Sequence, residues 1–170
     1  MRQPDEAEYV EFVNARLPRL RRLAHHLTGD WDRADDVIQT VLARLYTRWK
    51  RVRSAADVDL YVRAMVVNAF LSEKRRAWSR VLLSADPLDL VAGAEVDVTQ
   101  RLVLRAALDA VPPRQRATLV LRFLHDLSVP EVARILGCSE GTVKSQTSHG
   151  LAAMRRLLDE QAPVESRRDR

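Results

Sequence analysis

Ser128-Val-Pro-Glu-Val-Ala-Arg-Ile-Leu-Gly-Cys-Ser-Glu-Gly-Thr-Val-Lys-Ser145 is the stretch that decides the fold. Ser128 and Glu131 have the spacing of a capping box. In that motif the hydroxyl takes an orphan helical N–H and the carboxylate reaches back to the capping residue. Pro130 fits the first turn, where an intrahelical N–H is not required. The helix Glu131–Leu136 is short and ends in Gly137-Cys138-Ser139, and Ser139 caps a second helix running to about Leu158. Two helices joined by such a turn form a helix-turn-helix. Ala133 is small where the helices cross, Gly137 permits the turn, and Val143 plugs the core between them. Glu140, Thr142, Lys144, Ser145, Gln146 and His149 lie on the second helix, whose first residues would face base edges in a major groove. Lys144 suits a phosphate or a guanine, and Gln146 suits an adenine. A plain helical hairpin would leave the same polar face merely solvated. The joint placement of the capping box, Ala133, Gly137, Ser139 and Val143 favours a DNA reader. Cys138 reads as a small turn-packing residue.

Moving outward, Pro112-Pro113 separates a helix over 98–110 from one over 113–125, with Pro113 at its first turn. Residues 81–97 lack periodicity, contain Pro87 and Gly93, and read as a flexible linker. Asp86, Asp89, Glu95 and Asp97 make it acidic, with no basic residue among them. The flanking blocks are basic. Residues 1–80 carry sixteen Lys and Arg against eleven Asp and Glu, and residues 101–170 carry twelve against eight. Basic blocks fit a polyanion partner. An Arg-rich helical composition alone would produce the same balance.

In the first block, Tyr9, Phe12, Val13, Leu17, Leu20, Leu23, Ala24 and Leu27 recur at helical steps. Pro18 is expected to kink or split that helix, and Gly29 to end it. A second helix from about Asp32 carries Val37, Ile38, Val41, Leu42, Leu45, Tyr46 and Trp49 as its stripe. A third, roughly 57–79, is apolar almost all round from Leu60 to Leu71 and then turns basic. Such a helix is central in a bundle or faces a partner. Its end, Asn68 to Trp78, sets Lys74, Arg75 and Arg76 beside aromatics, as a melted-strand surface requires. Phe70 and Trp78 as core residues are the blander alternative.

The chain of 170 residues, 46% hydrophobic, is long enough to bury a core. One cysteine excludes a disulfide scaffold and suits a reducing cytosol. No apolar run approaches the ~20 residues that span a bilayer, and Met1 to Glu6 is too acidic for a secretory signal. No spaced metal-ligand cluster, catalytic triad or phosphate-binding glycine loop is visible, so catalytic, metal and cofactor sites are not expected. His25-His26 reads as a partly exposed helix pair. The expected fold is all-α: a unit over 1–80, the acidic linker 81–97, a helix-turn-helix unit over 98–160, and a disordered tail over 161–170.

Five pieces in order resemble the extracytoplasmic-function sigma factors of bacterial RNA polymerase. They are Leu27-Thr-Gly-Asp30, Asp35-Asp-Val-Ile-Gln39, Tyr61-Val-Arg63 through Asn68 to Arg75-Arg76, Val111-Pro-Pro-Arg-Gln-Arg116, and Gly141-Thr-Val-Lys-Ser145. The Arg- and Ala-rich wording and Lys144-Ser-Gln-Thr look like actinobacterial members. The resemblance implies that the chain binds core RNA polymerase, directs promoter-specific initiation and aids promoter melting, working in the cytoplasm and at the nucleoid when bound to polymerase. It implies docking through Asp35, Asp36 and Gln39, with Thr40 where many relatives carry Glu. It implies minus-ten recognition through Arg63, Asn68, Lys74, Arg75 and Arg76, with Ser72 replacing a commonly acidic residue. It implies minus-thirty-five recognition through Ser139, Thr142, Lys144, Ser145, Gln146 and His149; Gln146 and His149 stand where many relatives have Arg. The acidic linker would then mimic nucleic acid in the channel through which RNA leaves polymerase, or serve as a solvated tether. An anti-sigma protein is a frequent third partner. A stand-alone helix-turn-helix regulator and a sigma-like polymerase adaptor are the rival readings.

Overall fold

The computed structural model describes residues 3–83 and 99–161, with side chains described over 5–75 and 102–160. The elements in order are α1 (Gln3–Thr28), α2 (Trp31–Val52), α3 (Val58–Leu83), α4 (Thr99–Ala110), α5 (Pro113–Leu119), a π-helical segment (Val120–Leu124), α6 (Val129–Leu136) and α7 (Glu140–Gln161). No strand occurs among the described residues. Most of the linker expected over 81–97 and of the tail expected over 161–170, like the side chains of Arg76 and Trp78, lie outside the described residues.

Helices α1, α2 and α3 form the first unit, and α4 to α7 the second. In the first, Leu23, Leu27, Val41, Leu45, Trp49, Val62, Val66 and Phe70 are buried together. Asp30 caps α2 by accepting from the Arg33 N–H, and the cap satisfies a donor that the first turn would otherwise leave open. Gly29 takes φ +82°, the left-handed conformation that turns α1 into α2 without a Cβ penalty. Of the two expected effects of Pro18, the split does not occur: α1 runs unbroken through it. Pro18 and Asn14 are both exposed, so the Asn14 carbonyl that loses its partner faces water.

Two other boundaries differ from the sequence reading. α3 extends to Leu83, beyond the expected start of the linker, because nothing between Trp78 and Pro87 opposes a helix. The helix expected over 113–125 is α5 followed by the π segment, in which the His125 N–H reaches the Val120 carbonyl at 3.2 Å. A bond across five residues widens the helix. Here it buries Val120 and Leu121 and leaves Phe123 and Leu124 half-exposed.

The two units are packed together. α3 is central: it lies against α1 and α2 on one side and against α5 and α6 on the other, while α1 touches the π segment. Among the described residues no helix is long and apolar enough to cross a membrane.

Candidate nucleic-acid and polymerase interfaces

On α2, the three residues expected to dock on polymerase are not equivalent. Asp35 is held by Arg21 through two parallel hydrogen bonds of 2.6 and 2.8 Å. That fork keeps the Asp35 carboxyl below its ordinary pKa and the guanidinium above its own. Asp36, Gln39 and Thr40 are exposed, and the Thr40 hydroxyl is turned back onto the Asp36 carbonyl at 3.0 Å. Of the three, Asp36 and Gln39 are therefore the ones whose side chains face solvent.

On α3, the expected minus-ten residues divide between two faces. Asn68 and Arg75, seven residues apart, share one side and are exposed. Arg75 donates to the Ser72 hydroxyl at 3.4 Å, while Glu73 is engaged by Arg33 at 2.7 Å. Arg63 and Lys74, eleven residues apart, share the other side with Phe70 and are half-buried. Burial, with Arg33 and Arg116 nearby, pushes the Lys74 ammonium below its ordinary pKa. Phe70 is fully buried, which supports the core reading for that ring.

On α7, Ser139 is the cap: its hydroxyl accepts from the Thr142 N–H at 3.1 Å and meets the Thr142 hydroxyl at 2.9 Å. Both hydroxyls thus hold the helix start. Gly137 adopts φ +60° and Val143 is fully buried, and the Ser128–Glu131 capping box is complete. Lys144, Ser145 and His149 are exposed, and Gln146 is half-buried. A shallow concavity gathers Lys144 with Ser148, Arg155 and Arg122. The sequence reading missed the last three. Arg155 was within reach of it, because eleven residues after Lys144 completes three helical turns. Arg122 comes from another element, and it donates to the Leu127 carbonyl ahead of α6. A cation-lined hollow beside a helix N-terminus is suited to phosphate oxygens.

Between the units lies a polar seam that the sequence did not reveal. Arg105 donates to the His26 carbonyl at 2.8 Å and is forked onto Asp109 at 2.6 and 2.9 Å. Arg116 is 3% exposed and donates to the Leu27 carbonyl at 3.2 Å and to Asp109 Oδ1 at 3.0 Å. Two arginines of the second unit thus satisfy carbonyls that the C-terminus of α1 leaves without partners. Burial brings the Arg116 guanidinium down to about 10, still charged at neutral pH. Beside them His26 Nδ1 meets His125 Nε2 at 3.1 Å. His25 is stacked on Trp31 at 3.9 Å between ring centroids and lies 6.2 Å from the His26 ring. No group of three or more His, Cys, Asp or Glu able to hold a metal occurs among the described residues.

Comparison with known proteins accounts for both units. Residues 12–80 match the model of Sigma-70 region 2, and residues 101–154 that of Sigma-70 region 4. The RNA polymerase sigma-E factor of Streptomyces coelicolor is 34% identical over 160 residues, covering 89% of this chain and 86% of that protein. The ECF RNA polymerase sigma factor SigM of Mycobacterium tuberculosis is 32% identical over 142 residues, covering 84% and 71%. Among solved structures, the sigma factor RpoE in complex with the anti-sigma factor NepR from Bartonella quintana shares the fold. It has a TM-score of 0.73 at 23% identity and covers 91% of this chain and 99% of that one. By its two matched regions and its similarity along most of the length of its relatives, this chain belongs to the extracytoplasmic-function sigma factors, the family that directs bacterial RNA polymerase to its promoters.

Proposed function

We propose that the two units divide a bipartite promoter between them: residues 1–80 dock on core polymerase and read the minus-ten element, and residues 98–160 read the minus-thirty-five element. Asp36 and Gln39 make the direct polymerase contacts, with Asp35 acting through its fork to Arg21. Asn68, Arg75 and Arg76 meet the melted strand first, and Arg63 and Lys74 join them once the second unit moves off α3. Extruding a base costs a few kcal/mol of stacking, so donors that receive only the preferred base couple recognition to melting. On α7, Lys144, Ser145, Gln146 and His149 face the groove while Ser139 and Thr142 hold the helix start. The acidic linker tethers the units, and the tail 161–170 has no assigned role.

Sigma factors are not enzymes. In this reading nucleotide addition belongs to the polymerase, no cofactor is needed, and the chain works in the cytoplasm on nucleoid DNA. The solved RpoE–NepR complex supports a protein of the anti-sigma kind as a third partner. The observation that carries the reading is the exposed, cation-bearing face of α7 on a capped helix-turn-helix, in one chain with the basic end of α3.

The test is transcription from sheared genomic DNA by purified core polymerase, with and without this chain, followed by mapping of 5′ ends. New start sites preceded by two spaced motifs are expected. Core binding without new starts would indicate an adaptor, and no core binding would indicate a stand-alone regulator.

A further inference from the structure

The packed arrangement of the two units conflicts with bipartite promoter reading. Elements named minus-ten and minus-thirty-five lie about 25 base pairs apart, roughly 85 Å at about 3.4 Å per pair. A compact chain of this length is roughly 40 Å across. The 15 residues between Leu83 and Thr99 can extend to at most about 50 Å, so the units can span the promoter only after separating. In the packed form α6 also lies against α3, and Arg63 and Lys74 face the second unit.

The seam has an apolar part, where one hydrophobic core runs from α3 into α5 and α6, and a polar part at the C-terminus of α1. There Arg105 and Arg116 donate to the last carbonyls of α1, and Arg116, at about 10, keeps its charge at neutral pH. The charge of the His26–His125 contact, by contrast, depends on pH. Around it stand Arg22 on α1, Arg63 on α3, Arg105 on α4 and His25, with Asp126 as the acidic neighbour of His125. Glu131 on α6 faces Arg63 and is engaged by Ser128. Two neutral imidazoles 3.1 Å apart share one hydrogen bond. One proton leaves that bond possible but adds a positive charge to a half-buried site already crowded with arginines. A second proton turns both nitrogens into donors facing each other. The same arginines make the pair a poor site for a metal cation.

We propose that the His26–His125 contact is a proton-released latch, which holds the two units closed when both rings are neutral and frees them when the pair is protonated. The latch itself is independent of the sigma-factor reading; its consequence, a gate on promoter reading, rests on that reading. Burial, then the neighbouring His26 and arginines, lowers His125 from 6.5 to about 4, and His26 is lowered for similar reasons. On separation His125 loses its burial against the first unit and the nearby charges of Arg63 and Arg22, whereas His26 keeps His25 and Arg22 beside it on α1. The latch's contribution is therefore complete above pH 6.5 and is lost as pH falls toward 4. His125 alone shifts the closed-to-open ratio by about thirty-fold between pH 8 and pH 5.

Small-angle scattering of the full chain between pH 8 and pH 5, with far-UV circular dichroism on the same samples, tests this. The wild type is expected to expand as pH falls while keeping its helicity. His125→Gln, neutral at every pH, is expected to stay compact to pH 5, and His125→Lys to be expanded already at pH 7.5 with unchanged helicity. A wild type that stays compact at pH 5, expansion only with loss of helix, or a His125→Gln chain that expands at the wild-type pH would each overturn the latch. Neither polymerase nor DNA is present, so such a failure leaves the sigma-factor reading untouched. Failure of that reading would appear instead as no new start sites at any pH.

Discussion

Arg116 in the second unit donates to the main-chain carbonyl of Leu27 in the first at 3.2 Å, across 89 positions of sequence. Its guanidinium also donates to the Asp109 carboxylate and carbonyl and lies 5.9 Å from the centre of the Phe70 ring. One buried fork thus closes the turn before α5, completes the C-terminus of α1 and covers a core aromatic. Arg116→Ala is expected to cost about 2–4 kcal/mol, toward the range for removing one partner of a buried ionic contact. Urea unfolding of the full chain checks this. Arg116→Lys should recover little, because a single ammonium cannot reproduce the fork.

Gly29 combines a left-handed backbone with a crowded surface. A Cβ there would collide with the Arg105 guanidinium. Gly29→Ala should cost about 1–2 kcal/mol in backbone strain and displace Arg105 from the His26 carbonyl. Arg105→Ala removes the obstruction, so the double variant should lose less than the two single losses combined. Thermal melts of the four chains measure the coupling.

The capping box of α6 gives stability a defined pH dependence. Hydrogen bonds from the Ser128 hydroxyl and N–H hold the Glu131 carboxyl below its usual 4.5. A depressed carboxyl stabilises the fold above its unfolded value, and the contribution disappears as pH falls through the lower folded one. The Ser128 hydroxyl also accepts the Glu131 N–H, and losing this cap in Ser128→Ala should cost about 1 kcal/mol near neutrality. The difference in melting temperature from wild type should shrink below pH 4.5.

On α2, Asp36→Ala combined with Gln39→Ala should weaken core polymerase binding by about tenfold or more, the loss expected when a small docking centre is removed. Asp35→Asn should weaken it much less, because that carboxylate is already committed to Arg21. A binding series with fluorescently labelled chain and purified core separates the two, and equal losses would refute the division.

On α7, Lys144→Ala and Arg155→Ala should each weaken holoenzyme binding to different promoters alike and flatten the salt dependence, by close to one unit of slope per phosphate contact. Substituting His149 or Gln146 should instead alter preference at single positions. Anisotropy titrations over a series of salt concentrations distinguish these outcomes.

Much of the fold was legible because it is written in short-range chemistry. Ser128 and Glu131 are three residues apart, Gly137 must take a left-handed conformation, and Val143 follows at a fixed helical spacing. Pro18 does not split α1 because a proline's penalty depends on whether the carbonyl it orphans can reach water, and exposure is not local information. The π segment was equally hidden: its bonds answer to the burial of Val120 and Leu121. At the interfaces, residue type marked Asp35 and Lys74 as available. Their surroundings withdraw the first into an ion pair and turn the second toward the other unit.

The amino-acid order was enough for most helices, for the caps at Ser128 and Ser139, for the helix-turn-helix and for the family, since each rests on residues within a few turns of one another or on ordered motifs. Only the tertiary structure decided that the two units close on each other. Besides a shared apolar core, the polar contacts Arg105 to His26, Arg116 to Leu27 and His26 to His125 cross the seam, joining residues 79 to 99 positions apart. No periodicity announces them, because they depend on where two independently capped helical units bring their polar ends together.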